Sequence, residues 1–498
     1  MLDVAIIGLG PVGATLANLM GNMGLSVVAF DRATEIYPLP RAVHFDGETM
    51  RVFQEAGVAD ELLRCVHVSP GMKFVNAEGA LLVDWPRPME IGHHGWHASY
   101  RFHQPDLERL LRARLRSRPQ VQLKLGCDVY AVDERDGHLT LRYEDAHQGS
   151  LHALDARYVV GCDGARSLVR RLIGSELEDL GLHERWLVFD IILKRPWARS
   201  LGDFSIQFCN PKRPSTYVRG VGNRRRWEIM LMPGDDVTEI VRPENIWPLV
   251  RKWITPDDAD LERGAVYTFH SVIAHEWRKG RLLLAGDAAH QTPPFLGQGM
   301  CAGIRDVANL AWKLRAVISG EASPALLDTY QAERRPHVAE FIELAVRMGR
   351  LIQATGESQA QERDRRFDGN PELMNSISPA LGPSPLNGAI AGGGTLSWQP
   401  MLADGRRMDD VMGAAHFCLV ARPQWEGAEL EAVCAKSPLK LKLVLATDPS
   451  VLSWLDALHA DVAVIRPDRY LLGTATTLDE VRQLCRRIST FDVAVTAG

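Results

Sequence analysis

Residues 3–31 read as one uninterrupted βαβ unit, and no other stretch of the chain restricts its fold so tightly. Asp3-Val-Ala-Ile-Ile is a β-rich run and Gly8-Leu-Gly10-Pro-Val-Gly13 a glycine turn. A helix follows from Ala14 to Met23, and Val27-Val-Ala-Phe30-Asp31 is a second β-rich run. Each glycine is needed for a steric reason. Gly8 permits the tight turn, Gly10 lets a pyrophosphate approach the backbone, and Gly13 lets helix and strand pack closely. The helix start beyond them offers unpaired N–H groups and positive dipole character to phosphate. Asp31 ends the second strand, where an acid accepts hydrogen bonds from a ribose, and Arg32 follows it at the same edge. In a chain with 42 glycines the spacing alone arises by chance about 0.3 times, so the surrounding strand, helix and acid make this a dinucleotide-binding candidate.

Strand-like and helical segments keep alternating to about residue 175, which gives the first part of an α/β domain over 1–175. From Trp186 to Met232 the pattern changes to short β-branched and aromatic stretches: Trp186–Leu193, Phe204–Cys209, Thr216–Val221 and Arg226–Met232. Turn residues separate them, which predicts an antiparallel sheet domain over 176–275 inserted into the first. A second glycine-rich unit and a charged helical region return the chain to the α/β domain over 276–374. Residues 375–395, rich in Pro, Gly, Ser and Asn, read as a linker, and 396–498 as a separate α/β module.

Composition narrows the function classes. Hydrophobic residues make up 46% and charged residues 24%, and 57 Lys and Arg against 62 Asp and Glu leave a net charge of −5. A disordered chain is excluded, and a generally basic nucleic-acid binder is disfavoured. No apolar run approaches the roughly 18 residues of a membrane span, and a strand entered by Val4 leaves no room for a signal peptide. Eight cysteines are scattered without a CxxC pair, against a disulfide framework, a zinc ribbon and a dithiol redox centre. The expected setting is the cytoplasm, with buried thiols and no metal, membrane or nucleic-acid partner. P-loop, GxSxG and HExxH signatures are missing as well.

Two further segments repeat the strand, tight turn and helix arrangement. One is Tyr158-Val-Val-Gly-Cys162-Asp163-Gly164-Ala-Arg166-Ser167. The other is Arg281-Leu-Leu-Leu-Ala285-Gly286-Asp287, followed by Pro293-Pro-Phe-Leu-Gly297-Gln-Gly299-Met300-Cys301. Beyond Gly299, the apolar residues Ile304, Val307, Ala308, Ala311, Leu314 and Ile318 keep helical spacing. A carboxylate after a buried strand, such as Asp287, can accept a hydrogen bond from a ribityl hydroxyl. The helix N-terminus beyond it can stabilise negative charge on a reduced flavin ring.

Together these segments resemble the GxGxxG, DG and GD motifs of class A flavoprotein monooxygenases, the single-chain, FAD-dependent aromatic hydroxylases. The run from Pro293 to Asp306, Asn309-Leu-Ala-Trp-Lys313, Pro40-Arg41-Ala-Val-His44 and Phe102-His-Gln104-Pro look most like the 3-(3-hydroxyphenyl)propionate hydroxylase branch. The likeness covers about 1–350. More weakly, 396–498 is similar to the thioredoxin-like tail of phenol hydroxylases, without its CxxC. The resemblance implies an α/β fold: a Rossmann-like FAD-binding domain with an inserted antiparallel substrate-binding sheet, plus the thioredoxin-like C-terminal module. It implies that Arg41 and Gln104 contact FAD, and that Asp163, Asp287, Pro293, Gly297, Gly299 and Met300 lie at the cofactor. NADH or NADPH would visit as a transient co-substrate. In the implied reaction, NAD(P)H reduces FAD, O₂ adds at C4a, and the hydroperoxide passes an oxygen to a phenolic or similar small aromatic substrate. A homodimer is left open. Many relatives carry Asn where this chain has Cys301, which reads as a packing residue.

The inserted sheet is the expected roof of the substrate pocket. Gln207, Tyr217 and Met230 are candidates for facing the ring, and His44 for orienting a substrate hydroxyl; no catalytic side chain is assigned. His93, His94 and His97 read as solvent-facing loop histidines, His290 as a residue behind the cofactor turn, and Arg224-Arg-Arg226 as a solvated hairpin end. Two alternatives share these motifs. One is a monooxygenase of polyketides or antibiotics, acting by hydroxylation or Baeyer–Villiger insertion, and the other a non-catalytic protein on the same scaffold.

Overall fold

The computed structural model describes residues 1–195, 201–367, 369–388, 390, 392–435, 437 and 439–491. Five parallel strands lie in the order Leu282–Leu284, Ser150–Gly161, Leu2–Ile7, Val27–Asp31 and Val121–Leu125. Val4, Ala5 and Ile6 are fully buried, as a central strand covered on both faces requires. The helices Pro11–Asn22 and Gly299–Ile318 pack against each other beside it. Three motifs far apart in sequence therefore end on neighbouring strands of one sheet.

The second sheet has nine strands, and it reaches beyond the expected 176–275. Its centre is Leu177–Leu193 between Ala259–Ala274 and Arg224–Met230, continued by Ser215–Arg219 and Ser205–Phe208. It also recruits Gly71–Val75 and Leu81–Pro86 from the first segment, and His290–Gln291 and Glu372–Leu373 from later ones. Gly71–Val75 pairs in parallel with Ser205–Phe208. Local strand spacing announces hairpins only, so this long-range pairing has no local signature.

A four-stranded sheet follows, ordered Leu441–Leu445, Phe417–Ala421, Val462–Ile465, Leu471–Ala475. Helices Pro449–Ala457 and Leu478–Ser489 accompany it. Residues 492–498 of the expected module, and 196–200 of the expected sheet domain, lie outside the described residues.

The linker composition of 375–395 does not give a free linker. The Gly382 N–H donates to the Glu333 carbonyl at 2.9 Å, Ser384 Oγ to Glu333 Oε1 at 2.7 Å, and the Gly394 N–H to the Leu471 carbonyl at 2.8 Å. Glu333 is the hub of a fully buried cluster: Arg466 from the C-terminal module reaches both its oxygens, at 2.9 and 2.6 Å, and Lys313 Nζ lies at 2.7 Å. Asp468 accepts from Arg466, Asn309 and Trp312. Burying such charges is expensive unless every partner is present, so the segment is tied down by polar contacts that its composition does not reveal. No helix among the described residues is long and apolar enough to cross a membrane.

Candidate active site

A cavity of about 350 Å³ opens between the parallel sheet and the nine-stranded sheet. Gly10 to Val12, Arg41 to His44, Asp287, Gly297, Gly299 and Met300 line one side; Gln207, Thr216, Val218 and Glu228 line the other.

The nucleotide side is shaped by backbone. Gly8 has φ +97°, and a Cβ there would sit 2.4 Å from the Cys162 carbonyl oxygen, so neither conformation nor space admits a side chain. The helix Pro11–Asn22 begins at Gly10 with no side-chain cap, and Gly299–Ile318 begins at Gln298 with none either. Two uncapped helix N-termini therefore converge on one cleft, a donor arrangement suited to phosphate at the first and a developing anion at the second. Asp287 lines the cleft with its side chain open to it and has no hydrogen bond to any described residue, and desolvation by the surrounding walls raises its pKa above the usual carboxylate value. An acceptor free on a wall of backbone donors fits a polyhydroxylated dinucleotide.

Other expected cofactor residues support the cleft from behind. Asp31 accepts from the Leu9 N–H at 3.3 Å and from Arg112 Nη2 at 3.2 Å, holding the glycine turn without lining the cavity. Arg32 is exposed, outside the lining. Gln104 is the exception, since it lines the cleft itself, while its Oε1 accepts from the Arg41 and Ala42 N–H groups at 3.0 and 2.8 Å and fixes the loop that carries Arg41. Asp163 accepts from the Leu168 and Val169 N–H groups at the next helix start; its neighbours Cys162 and Gly164 line the cleft, but it does not. Pro293 is buried, and Thr292 and Pro294 on either side of it are the residues exposed to the cavity. Gly13 packs behind Gly8, where a Cβ would meet the Gly8 carbonyl.

On the opposite wall two candidates are corrected, Tyr217 by strand alternation and Met230, which shares the face of Glu228, by its packing. Gln207 and Glu228 both pair with Thr216, so all three face the cleft. Tyr217, one residue on, points through the sheet into a core with Trp227 and Phe189. Met230 is half-buried, packed against the main core outside the lining. The period-two rule applied across the hairpin selects Thr216 over Tyr217.

His44 lines the cavity, yet its ring is fully engaged. Nδ1 lies 3.2 Å from the Gly297 carbonyl, which can only accept, and Nε2 lies 2.9 Å from Ser99 Oγ. The ring therefore carries its proton on Nδ1 and accepts from Ser99. Burial, with the nearby Arg101 and Arg87, lowers its pKa to about 3. His44 buttresses the Gly297 turn, and the expected contact to a substrate hydroxyl is replaced by these two bonds. Cys301 beneath the same turn is buried, which pushes its thiol up to about 12 and keeps it a packing group.

Two surface readings change. Arg226 is buried, with Nε and Nη2 on Asp190 at 2.7 and 3.0 Å and further bonds to the Arg41 and Pro40 carbonyls. Arg263 joins from the next strand, on Asp190 at 2.9 Å and the Pro40 carbonyl at 2.8 Å. This is a clamp on the 40–41 loop, not a solvated hairpin end, and nothing local in Arg224-Arg-Arg226 distinguishes the two. Of the three loop histidines only His93 is exposed, stacked on Trp398 at 3.7 Å. His94 is half-buried with its pKa lowered to about 4 by burial, and His97 is held by the Met89 carbonyl. His290 does sit behind the turn, 2.6 Å from Asp306. Arg87, Arg101, Phe269 and Trp85 also line the cavity, and sequence reading misses them because no local motif carries them.

The family described as "FAD binding domain" matches residues 1–345. The chain belongs to this FAD-binding family. Among its relatives is a protein of Rhodococcus jostii (strain RHA1) named probable NADH-specific resorcinol 4-hydroxylase, 38% identical, with 98% of this chain and 94% of that one covered. Another is 3-(3-hydroxy-phenyl)propionate/3-hydroxycinnamic acid hydroxylase 2 of Burkholderia vietnamiensis (strain G4), 35% identical over 94% of this chain and 93% of that one. In fold it is similar to the flavin-dependent monooxygenase PieE in complex with FAD and substrate, at a TM-score of 0.81, 20% identity and 98% of both chains. Aklavinone-11 hydroxylase with FAD and aklavinone gives 0.79, also at 20% identity and 98% of both. The FAD-binding protein is therefore an FAD-dependent monooxygenase with a nicotinamide co-substrate, and the reading as a non-catalytic protein on this scaffold falls away.

Proposed function

We propose that this monooxygenase hydroxylates a small phenolic ring, using NAD(P)H and O₂. The observation that carries the reading is the single cleft in which a dinucleotide cradle faces a polar sheet wall. Phenol hydroxylation needs the ring and the flavin in one enclosed space. Bound FAD would supply hydride acceptance from the nicotinamide and activation of O₂. Gly10, the two helix N-termini, Arg41 and Asp287 would hold it. Phe269, Trp85 and Met72 supply apolar surface for an aromatic ring. Glu228 supplies a carboxylate whose proton affinity burial has raised, the property required of a group that takes a phenolic proton. The names of the relatives, both hydroxylases of phenols, support the substrate class.

In the same reading the FAD domain is discontinuous, over 1–175 and 276–374, and the nine-stranded sheet binds substrate. Residues 396–498 would form a thioredoxin-like module without CxxC, with a structural or assembly role. The test is purification with FAD, then NADH and NADPH oxidation with and without resorcinol and 3-(3-hydroxyphenyl)propionate, with product identification. Stimulated oxidation yielding a ring-hydroxylated product is the expected result. Protein that cannot be loaded with FAD, or oxidation indifferent to every phenol, would overturn the reading.

A further inference from the structure

The sheet end of the cleft contains two guanidinium groups without anionic partners. Arg101, at the end of the strand Ser99–Arg101, is 5% exposed and lines the cavity. Its side chain makes one hydrogen bond, to Ser205 Oγ, and its Nε is buried without a partner. Arg87 lines the same cavity, lies over the Trp85 ring at 3.9 Å, and has no side-chain hydrogen bond or ion pair to any described residue; its Nη1 is buried and unpartnered. Burial lowers the proton affinity of both groups, to about 10, and repulsion by Arg87 adds to the effect at Arg101. They remain cations at neutral pH.

Neighbouring carboxylates are engaged elsewhere. Asp190 is bound by Arg226 and Arg263, and Glu228 lies 3.9 Å from Arg226, its charge also bearing on Arg101 without a hydrogen bond or ion pair between the two. Those two acids and two arginines compensate one another, and protonating Glu228 would only add positive character. Asp46, which bears on Arg87 from a distance, is paired with Arg305 at 2.6 Å. His44, which also faces the pair, is neutral. A buried guanidinium with unfilled donors carries a desolvation cost of several kcal/mol unless something supplies an acceptor, and its planar donor fork matches a carboxylate.

We propose that Arg87 and Arg101 form an anion-receiving subsite, so that the substrate is a phenol bearing a carboxylate, with the carboxylate on this pair and the ring over the apolar wall toward the flavin turn. This rests on the phenol-hydroxylase reading and goes beyond it. The relatives divide between an uncharged diphenol and aryl acids, and these two side chains decide between them.

The experiment uses the full-length FAD-loaded protein. Ligand-induced change in the flavin absorbance is titrated with 3-(3-hydroxyphenyl)propionate, its carboxamide and resorcinol, and stimulation of NADH oxidation is followed in parallel. The acid is expected to bind at least about tenfold more tightly than the carboxamide. In Arg87→Gln and in Arg101→Gln, each checked for retained flavin, that ratio falls toward one. Equal binding of acid and carboxamide by the unaltered protein overturns the subsite while leaving phenol hydroxylation standing. If Arg101→Gln and Arg87→Gln weaken resorcinol as much as the acid, the pair receives a phenolate and the carboxylate proposal is overturned. No response to any of the three phenols overturns the hydroxylase reading and the subsite with it.

Discussion

Tyr470 Oη donates to Glu48 Oε1 at 2.6 Å, joining the C-terminal module to the first segment of the chain. Glu48 Oε2 accepts from Arg305 Nε at 2.5 Å, and Arg305 reaches Gln298 Oε1 at 3.1 Å and Asp46 Oδ2 at 2.6 Å. Gln298 is the residue from which the helix lining the flavin turn begins. Tyr470→Phe removes one donor and leaves a buried carboxylate oxygen unpaired, at about 1–3 kcal/mol. Several-fold weaker FAD binding by the apoprotein is the expected outcome of a fluorescence titration. Unchanged affinity would show that the connection stops at Glu48.

Arg466→Met tests how firmly the C-terminal module is attached. It leaves Glu333 with Lys313 as its one remaining cation and Asp468 with the neutral donors Asn309 and Trp312, a loss of about 3–5 kcal/mol for a broken buried cluster. Thermal unfolding should fall by several degrees, and proteolytic cleavage in 375–395 should become faster than in the unaltered protein. A variant with the same melting temperature and cleavage rate would contradict the contact network.

These two contacts mark a limit of sequence reading. The parallel strands, their turns and the cofactor helix are legible because burial on both faces produces unbroken apolar runs, and phosphate demands glycine at fixed places. Pairing of Gly71–Val75 with Ser205–Phe208, and the clamping of Pro40 by Arg226, depend on segments that meet only after folding. A charged or polar residue gives the same local signal whether it ends in solvent or in a clamp, so Arg226 reads as surface and Ser384 as linker. Tyr217 misleads differently: its aromatic character suggests a ligand contact, whereas the pleat places it on the core side of the sheet.

Arg226→Gln should loosen the loop that carries Arg41. It removes the guanidinium charge that pairs with Asp190 and the guanidinium donors to the Pro40 and Arg41 carbonyls, while Arg263 keeps one bond to each of Asp190 and Pro40. Partial retention predicts a folded protein with an impaired cleft. Steady-state kinetics with the best phenol should show KM raised by about tenfold, the order expected for losing one charged hydrogen bond of about 1.5 kcal/mol. A value equal to that of the unaltered protein would separate the clamp from the cleft.

Asp287→Ala tests the free acceptor on the nucleotide side. Loss of a charge-assisted bond to the ribityl chain corresponds to about 1.5–3 kcal/mol, roughly ten- to hundredfold in FAD affinity. Asp287→Asn, which keeps an acceptor oxygen, should retain more of the affinity. Equal FAD affinity in all three proteins would remove Asp287 from the cofactor contacts.

Acid should destabilise the protein partly through His44. In the folded state its pKa is held down to about 3, chiefly by burial and then by Arg101 and Arg87, whereas in the unfolded chain it titrates near 6.5. Below about pH 6.5 the unfolded state therefore binds a proton that the folded state refuses. The sign is fixed: the contribution is fully present above pH 6.5 and is lost as pH falls toward 3, by up to about 1.4 kcal/mol per pH unit. His94 and His337, also lowered by burial, add to the same trend. His44→Gln removes one such proton, so urea unfolding between pH 7 and 5 should show a shallower loss of stability in the variant, even though its stability at pH 7 is lower because the bonds to Gly297 and Ser99 are gone. Parallel pH profiles would mean that His44 titrates alike in both states, against the neutral, Nδ1-protonated ring that the contacts to Gly297 and Ser99 require.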